Sequence, residues 1–552
     1  MMVRSFTRAV AVAAALAATP AAADTLVDNV DGITIDADGD VLRFTGIVFD
    51  DDGRITRVLE RGDDRPTDVD YALDGEGQVM LPGLIDAHVH IMQIGFAALT
   101  FDLSDTTSLE DALAKIKQFA DENPGRPWIL GRGWNQEKWG LGRFPTAAEL
   151  DAIVPDRPVW LSRVDGHASW ANTAAITRAG VTAETRDPSG GRIIRKAGSR
   201  EPAGVFIDAA EALVNAVVPA PRPEDRDAAL AKAQQILLAN GVTAVADMGT
   251  SIEDWQTFRR AGDLGQLKVR IMSYATDPDT MDLIGGPGPT PWLYEDRLRL
   301  NGIKLYLDGA LGSRGATLKE PYEDEPSTRG LPLLTPAQLR NLMSRAALDN
   351  FQTAIHAIGD AANAEVLSAI EELSDTYDGD RRWRIEHAQI VDPDDLATFG
   401  KHGMIASMQP LHQTSDMSMA EARLGEDRLG GAYAWRSILN VGGRLAFGSD
   451  APVEPADVFA GIAVAISRTD ENGEPFGGWR AEETISREAA LGAFTADAAF
   501  AGFADGRFGR LLPGERADFL LVDRDPLLAS PADIRETQIQ QVWIGGERVL
   551  AQ

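Results

Sequence analysis

The chain has 552 residues, of which 44% are apolar and 25% are charged. This balance is typical of a globular protein, and the length is sufficient for two or more domains around a large core. The formal net charge of −31 excludes nucleic acids and anionic membrane surfaces as expected partners, because both bind clustered cations. The chain has no cysteine, which excludes disulfides, thiolate ligands and a thiol nucleophile.

The first 23 residues predict an export signal. Arg4 and Arg8 flank the start of an apolar run at 9–18, and small residues precede Asp24. The run is about half of the ~20 residues that a transmembrane helix needs. We therefore expect cleavage after Ala23, a periplasmic or secreted protein, and no membrane span.

Short alternating segments at both ends of the chain predict a small β-sandwich. Candidate strands at 32–35, 41–49, 54–59 and 71–73 are separated by turns rich in Asp and Gly. Similar segments return at 517–522 and 541–546. We expect residues 24–82 and 506–552 to form one composite domain.

The middle of the chain, 83–505, alternates apolar strands with helical stretches, as βα units do. The candidate strands are 84–89, 242–248, 269–274, 303–307, 353–357, 384–387, 405–408 and 445–448. Helical stretches at 335–349 and 361–373 fit between the later strands. Eight such units predict an α/β fold of the (β/α)₈ TIM-barrel type.

The interval between the first two barrel strands is several times longer than one crossover needs. It contains strands of its own, at 127–131 and 159–163, and five of the eleven tryptophans. We expect a subdomain inserted at about 92–225 over the mouth of the barrel. Most of these tryptophans are interpreted as core residues, and Trp134, which follows Gly131-Arg132-Gly133, is the best candidate to line a pocket.

Metal-ligand side chains recur at the carboxyl ends of the barrel strands, where the active sites of such barrels lie. His88 and His90 are one residue apart, so both side chains point to the same face of strand 1. The ends of strands 4, 5, 6 and 8 carry further candidates: Lys304, His356, His387 and Asp450. Any one of these histidines alone is more readily a hydrogen-bonded core residue, but their joint placement predicts a metal site.

This pattern resembles the amidohydrolase superfamily, which carries the same residue types on the same strands. Within it, the chain is similar to the amidohydrolase-3 branch that includes N-substituted formamide deformylases. The motifs that carry the resemblance are LPGLIDAH at 81–88, GRGWNQ at 131–136, DGHASWAN at 165–172, KLYLDGALGSR at 304–314, HAIGD at 356–360, EHA at 386–388, SMQPLH at 407–412 and GERADF at 514–519.

The resemblance implies roles for these residues. His88, His90 and Asp450 suit a borderline cation such as Zn²⁺, and His356 and His387 could hold a second ion. Lys304 would be N6-carboxylated and would bridge two metals; the alternatives are a salt-bridging lysine and a single-metal site.

The chemistry that follows from such a site is attack of activated water on a carbonyl. Asp450 would take the proton of the water and return it to the leaving amine, while His387 or a metal would polarise the carbonyl. His387 thus has two predicted roles, as a metal ligand and as a catalytic residue.

The three remaining histidines lie outside the predicted ligand set. His167, in the insertion, resembles the substrate-side histidine of the branch, with a satisfied loop histidine as the alternative. His412 is interpreted in the same way, with Gln409 as a possible contact to a substrate amide. His402 lies at an expected helix end, where a cation is favoured, and is interpreted as structural.

These observations predict a metal-dependent amidohydrolase that cleaves a non-peptide C–N bond in an amide, N-substituted formamide or cyclic amide. An esterase or lactonase with the same metal site is the alternative. A periplasmic binding protein without activity is less favoured, because Asp450 is retained. The expected partner is a small amide-type substrate, and neither its identity nor the oligomeric state follows from the sequence.

Overall fold

Three β-sheets organise this computed structural model, in which residues 24–36 and 39–551 are described. The predicted export signal at 1–23 lies outside the described residues. The strands, in chain order, are β1 (Thr25–Ile35), β2 (Val41–Phe49), β3 (Ile55–Leu59), β4 (Tyr71–Asp74), β5 (Val79–Pro82), β6 (Leu84–Val89), β7 (Phe101–Asp102), β8 (Ile129–Trp134), β9 (Val159–Arg163), β10 (Ala168–Ala171), β11 (Gly191–Arg195), β12 (Pro202–Asp208), β13 (Val242–Thr250), β14 (Arg270–Ala275), β15 (Leu298–Tyr306), β16 (Gln352–Ala357), β17 (Arg384–His387), β18 (Ile405–Met408), β19 (Arg444–Phe447), β20 (Phe519–Val522), β21 (Ile539–Ile544) and β22 (Glu547–Ala551).

The α-helices follow most barrel strands and cover the outside of the barrel. They are α1 (Ile91–Leu99), α2 (Leu109–Glu122), α3 (Ala147–Asp151), α4 (Thr173–Arg178), α5 (Ala212–Asn215), α6 (Pro223–Ala239), α7 (Ile252–Asp263), α8 (Pro278–Gly285), α9 (Pro336–Leu348), α10 (Asp360–Ser374), α11 (Pro410–Leu424), α12 (Trp435–Asn440), α13 (Val458–Ser467), α14 (Arg487–Ala493), α15 (Ala496–Ala501) and α16 (Pro531–Arg535). None of the helices in the described ranges combines the length and apolar character that a membrane span requires.

The predicted barrel is confirmed as a sheet of eight parallel strands in the order β6, β13, β14, β15, β16, β17, β18, β19. Its two outer strands meet through a parallel bridge between Val89 and Ala451. The amide of Asp450 donates to the carbonyl of His88 at 2.7 Å, and the amide of His90 donates to that of Ala451 at 2.9 Å. These two bonds place the end of strand 8 directly against the His88–His90 pair.

The sequence located the helices between the late strands well because their end signals are strong. Thr335 caps α9 with a capping box, and a proline follows it at the first helical position. Strand β15 begins at Leu298, five residues before the predicted start at 303. The first residues of β15 pair with β14, where Ile271 lies opposite Leu298. The sequence of these first residues has no clear apolar pattern that would predict a strand.

A second sheet of six strands, in the order β11, β12, β10, β9, β8, β7, comes between β6 and β13 in the chain. Its core contains Trp134, Trp139 and Trp170. The indole of Trp170 contacts each of the other two indoles edge to face. Helix α6 then returns the chain to the barrel by packing on α1, where the backbone carbonyl of Ala229 leaves no room for a side chain at Gly95.

The third sheet joins strands from both ends of the chain, in the order β22, β21, β20, β5, β1, β2, β3, with β4 paired to β1. Strand β20 is antiparallel to β5, with Phe519 opposite Pro82. The sandwich form of this module, and the domain boundaries that the sequence suggests, stay predictions.

A buried ion pair fastens this terminal sheet to the barrel. Asp518 accepts two hydrogen bonds from Arg270, at 2.6 and 2.8 Å, and neither side chain is more than 2% exposed. Asp518 also accepts from the amide of Gly545 at 2.7 Å. These hydrogen bonds offset the cost of burying the carboxylate, because each of its oxygens faces a donor.

We expect Asp518→Ala to lower the free energy of unfolding by about 3–5 kcal/mol, because it leaves the Arg270 guanidinium buried without its carboxylate partner, and the carbonyl of Glu295 that it also contacts carries no full charge. Urea denaturation followed by circular dichroism measures the change. Asp523→Ala, at a more exposed pair with Arg524, is the matched control and should cost about 1 kcal/mol or less. Equal midpoints for the two variants would contradict this role of Asp518.

Candidate metal centre

Five barrel strands bring six of the predicted side chains to one place at the carboxyl edge of the sheet. These residues are His88 on β6 and His90 just after it, Lys304 on β15, His356 on β16, His387 on β17 and Asp450 after β19. The rings of His88 and His387 lie 4.7 Å apart, and those of His356 and His387 lie 4.6 Å apart. Five of the six residues are buried, and the side chain of His90 is 16% exposed.

Asp450 is the common neighbour of these histidines. Its Oδ1 lies 3.2 Å from Nε2 of His90 and 3.4 Å from Nε2 of His88. Burial opposes the charge of Asp450, but the nearby His88 and His90 hold the pKa of its carboxyl well below the usual range. A carboxylate that stays ionised between two imidazoles is suited to bind a cation.

Two groups of donor atoms in the described part of the chain are close enough to hold a metal ion. One consists of His88, His90 and Asp450, and the other of His387, His412 and Asp450, with the donor atoms of each group within 4.8 Å of one another. Three buried atoms at this place have no hydrogen-bond partner within the described residues: Nε2 of His356, Nε2 of His412 and Oδ1 of Asp450. Because buried polar atoms are almost always satisfied, their convergence fits a bound cation.

The hydrogen bonds behind the ligands fix which nitrogen faces the centre. Nδ1 of His88 lies 2.7 Å from Oε2 of Glu386, a carboxylate that Arg384 holds at 2.8 Å. Although Glu386 is buried, the charge of Arg384 keeps the pKa of its carboxyl well below the usual range. His88 therefore donates from Nδ1 and presents the lone pair of Nε2 to the centre, which is the usual arrangement of a metal-bound histidine. Sequence reasoning gave Glu386 no role.

Gln409 corrects a prediction, because it contacts a histidine of the centre and lines neither of the cavities described below. It is 1% exposed, and its Oε1 accepts from Nδ1 of His387 at 2.8 Å while its Nε2 donates to the carbonyl of Ser407. Gln409 is therefore a positioning residue for His387. Burial also lowers the pKa of His387 well below its usual value, so the ring is neutral and Nε2 carries a lone pair.

We expect Gln409→Met to lower metal affinity about 10- to 100-fold, because it removes the acceptor that orients His387. Equilibrium titration of the apoprotein with zinc measures this loss. Gln409→Glu keeps an acceptor at the same place and should retain most of the affinity. If Gln409→Met instead left the zinc affinity unchanged and raised KM, the result would support the predicted contact between Gln409 and the substrate.

Trp134 corrects a second prediction. Its side chain is fully buried, its indole N–H donates to the carbonyl of Leu161 at 2.7 Å, and it packs against Trp170. Trp134 thus belongs to the core of the inserted sheet and lines neither of the two cavities described below. A side chain close to it, Arg163, does line a cavity, and its guanidinium lies 6.0 Å from the Trp134 ring.

His167 lies at the centre, as the sequence suggested. Its ring is 5.5 Å from that of His356, and its Nδ1 is 2.7 Å from Oδ1 of Asp208. Burial alone would lower the pKa of His167, but the hydrogen bond and charge of Asp208 raise it to about 9. His167 is therefore protonated at neutral pH and has a free N–H at Nε2.

Lys304 is buried beside the ligands, with its Nζ 3.2 Å from Nε2 of His88. Burial lowers the pKa of this amine to about 8, against the pull of Glu386 and Asp450. A substantial fraction of a lysine with this pKa is the free amine near neutral pH. The free amine is the form that carboxylation by CO₂ requires.

Asp86 holds the loop that carries Asp450, a role that the sequence did not reveal. Its carboxyl is fully buried and accepts from both the amide and the hydroxyl of Ser449, at 2.9 and 2.5 Å. Burial raises the pKa of Asp86 to about 7. Asp450 itself has a φ of 59°, in the left-handed region, so this anchoring fixes a strained backbone at the centre.

Two cavities open from the centre. The insertion-side cavity, about 690 Å³, runs from His90 and Lys304 past His167 to Phe96 and Leu333. The helix-side cavity, about 510 Å³, runs from His387 and Asp450 along α11 to Asp416 and Met419. His167, His356, His387 and Asp450 line both. A substrate bound at the centre could therefore extend one part into each cavity.

His402 lies apart from this site, on the exposed surface after β17 and a short 3₁₀ helix at Leu396–Gly400. Its φ of 55° places it just beyond the end of that helix. The interpretation of His402 as a residue outside the site is consistent with this position.

The chain belongs to the amidohydrolase family, whose model it matches over residues 72–550. It is 35% identical to Protein LONG AFTER FAR-RED 3 of Arabidopsis thaliana, over 86% of this chain and 82% of that protein. It is 31% identical to the putative amidohydrolase YtcJ of Bacillus subtilis, over 86% of this chain and 89% of the relative. The N-substituted formamide deformylase of Arthrobacter pascens is 27% identical over the same shares of the two chains.

Among solved structures, the chain is similar to an uncharacterized metal-dependent hydrolase from Pyrococcus horikoshii OT3. The TM-score is 0.73 with 25% identity, and the match covers 92% of this chain and 99% of the other. These relatives confirm the amidohydrolase-3 branch and place the chain among metal-dependent hydrolases with His/Asp groups that could bind a metal.

Proposed function

We propose that this chain is a zinc-dependent hydrolase that cleaves the C–N bond of an amide or N-substituted formamide. The observation that carries the proposal is the convergence of His88, His90 and Asp450, with unpartnered buried donor atoms, where two cavities meet. Zinc favours imidazole and carboxylate donors in this number. The deformylase activity named for the Arthrobacter pascens relative supports the formamide class.

His88, His90 and Asp450 would hold one ion, and His356 and His387 would hold a second, with Lys304 as a carbamate between them. When bound, zinc lowers the pKa of water and polarises a carbonyl oxygen. The low pKa of the Lys304 amine supports its carboxylation. A single ion, with Lys304 as a plain amine, is the alternative, and the mass of the intact protein under native conditions distinguishes the two.

Asp450 moves the proton in this proposal. Its carboxylate is ionised and accepts a proton from the attacking water as the new C–O bond forms. It then gives this proton to the nitrogen as the C–N bond breaks, so that an amine and a carboxylic acid leave. The account needs no other acid or base from the chain.

His167, rather than His387, is suited to donate a hydrogen bond to the carbonyl oxygen. His387 is neutral and uses its only N–H on Gln409, so its Nε2 can bind a metal but cannot donate. His167 is protonated, because Asp208 supports its charge at Nδ1, and the residue lines both cavities. A fixed donor at this place stabilises charge that develops on the oxygen.

A panel of N-formyl amines, N-acyl amines, cyclic amides, esters and lactones, tested with zinc-loaded protein, measures the reaction class. We expect amine release from the formamides and amides. Turnover of esters and lactones alone would favour the lactonase alternative. No turnover of any member, with zinc bound, would favour a binding protein without activity.

We also propose that the protein is exported and that the mature chain begins at Asp24. The charged start, the apolar run and the small residues before Asp24 support this address. Expression in a Gram-negative host, followed by N-terminal sequencing of the periplasmic fraction, tests it. A cytoplasmic chain that keeps its first 23 residues would contradict it.

A further inference from the structure

One face of α11 lines the helix-side cavity beyond the metal centre. His412, Asp416 and Met419 are spaced four and three residues apart, so they lie on the same side of the helix. Asp416 therefore lies one turn, about 6 Å, beyond His412 along the helix axis. His412 in turn lies next to the centre, with its Nε2 3.6 Å from Oδ2 of Asp450.

Among the residues that the structure describes, two carboxylates of this cavity accept side-chain hydrogen bonds from hydroxyl groups alone. Asp416 accepts at Oδ2 from the hydroxyl of Tyr433 at 2.6 Å, and Glu454 accepts at Oε1 from the hydroxyl of Ser415 at 2.5 Å. No lysine or arginine in residues 24–36 or 39–551 forms an ion pair with either of them. Burial raises the pKa of both carboxyls, although the nearby His412 acts in the opposite direction.

The other charged groups of the cavity have contacts elsewhere. Glu137 lies 3.1 Å from Arg423, and the guanidinium of Arg163 binds Asp165 and Gln136. The ammonium of Lys138 donates to the carbonyl of Ser104 at 2.7 Å. Arg163 and His412 oppose, through their charge, the rise that burial causes in the pKa of Asp416, but within the described residues neither Arg163 nor Lys138 forms an ion pair with Asp416 or Glu454.

An independent observation in the same cavity points to a ligand with N–H groups. The side-chain amide of Gln389 lies with its Nε2 3.1 Å from Nδ1 of His412, and its Oε1 has no donor among the described residues. Gln389 is only 4% exposed and lines the helix-side cavity. A buried carbonyl oxygen without a donor is costly unless a ligand supplies one.

We propose that the helix-side cavity binds a protonated amine or guanidinium group of the substrate, held by Asp416, Glu454 and Gln389. We call these three residues the amine subsite. The inference rests on the proposed hydrolase function and specifies its substrate class as an amide with a cationic nitrogen near the scissile bond. Since the unpartnered atom of Gln389 is its Oε1, which can only accept, the cation must carry N–H groups, and a quaternary ammonium would be a poorer ligand.

Kinetics with paired substrates test the amine subsite. We would use ω-aminoalkyl formamides of increasing length, each paired with the n-alkyl formamide of equal length and with its trimethylammonium derivative. For at least one chain length, we expect wild-type protein to have a higher kcat/KM with the ω-aminoalkyl formamide than with the n-alkyl or trimethylammonium formamide of equal length. A preference for the neutral member at every length would overturn the proposal.

Variants of the subsite sharpen the test. Asp416→Asn keeps an oxygen for Tyr433, and Glu454→Gln keeps one for Ser415, so both remove charge and preserve those hydrogen bonds. We expect each to lower kcat/KM for the ammonium substrate about 10- to 100-fold and to change that for the neutral substrate by less than about twofold. Glu421→Gln, an exposed site on the same helix, is the matched control and should alter neither. Equal losses for both substrates would show a structural role and overturn the proposal.

A binding measurement separates this inference from the proposed reaction. Calorimetric titration of zinc-loaded protein with n-butylammonium chloride does not depend on turnover. Weaker binding to Asp416→Asn and Glu454→Gln than to wild type supports the amine subsite, even if no formamide is cleaved and the proposed reaction fails. Equal binding to all three proteins, or none, overturns the amine subsite, and cleavage of the neutral formamides would then leave the proposed reaction in place.

Discussion

Asp450→Asn is expected to lower kcat for every amide substrate by about 10²- to 10⁴-fold, because asparagine cannot take the proton of the attacking water. Asparagine has nearly the same shape as aspartate and tolerates the left-handed backbone that residue 450 adopts, with its φ of 59°. The fold should therefore persist. Steady-state kinetics with an N-formyl amine, with circular dichroism as a check of folding, measure the effect.

The control for this variant is Asp427→Asn, which makes the same chemical change at an exposed position. It should have wild-type activity. Because Asp450 also contributes to the ligand set, zinc content is measured in parallel, and activity is compared per bound zinc. Unchanged activity of Asp450→Asn per bound zinc would refute its role as the group that transfers the proton.

His90→Asn is expected to lower zinc affinity at least about 100-fold, which is the upper end of the loss seen when an outer partner of a ligand is removed. His90 is one of three donors in its group, and its Nε2 lies 3.2 Å from Asp450. Its side chain reaches the cavity and is partly exposed, so the substitution should disturb the core little. Zinc titration of the apoprotein, together with activity at a fixed zinc concentration, measures the loss.

His402→Asn is the matched control, since His402 is exposed and has a left-handed backbone that asparagine tolerates. It should bind zinc as the wild type does. If both variants bound zinc equally well, the His88–His90 pair would not be a ligand pair, and the donor group centred on His387 and His412 would have to hold the metal alone.

The barrel and the meeting of the six side chains at its edge could be predicted from the sequence because both depend on local patterns. Apolar runs with β-branched residues mark the buried parallel strands, and the active edge of such a barrel is fixed by strand direction. Once His88 and His387 end two of these strands, their proximity follows from topology. The structure places their rings 4.7 Å apart.

The second layer of the site could not be predicted, because it depends on which side-chain atoms meet across the barrel. Glu386 and Arg384 alternate with apolar residues on one short strand, and only the structure shows their link to His88 on another. The sequence suggests Gln409 and Trp134 as substrate contacts because both lie within the motifs that carry the family resemblance. The structure turns both side chains away from the cavities, toward His387 and toward the inserted core.

The amine subsite was missed for a similar reason. Asp416 and Glu454 are 38 residues apart in the chain and belong to no motif. Their relation depends on a hydrogen bond from Ser415 of α11 to the loop that follows Asp450. A lone acidic residue on an amphipathic helix is far more often a solvated residue than a ligand contact, so only the shared cavity singles it out.

The zinc content of the purified chain tests the central claim most directly. Protein is expressed with zinc, freed of loosely bound metal by gel filtration, and measured by inductively coupled plasma mass spectrometry. The ligand set predicts about one to two zinc equivalents per chain, with a marked loss in His90→Asn. A wild-type content below about 0.2 equivalents of any divalent metal would contradict the assignment of this barrel edge as a metal centre.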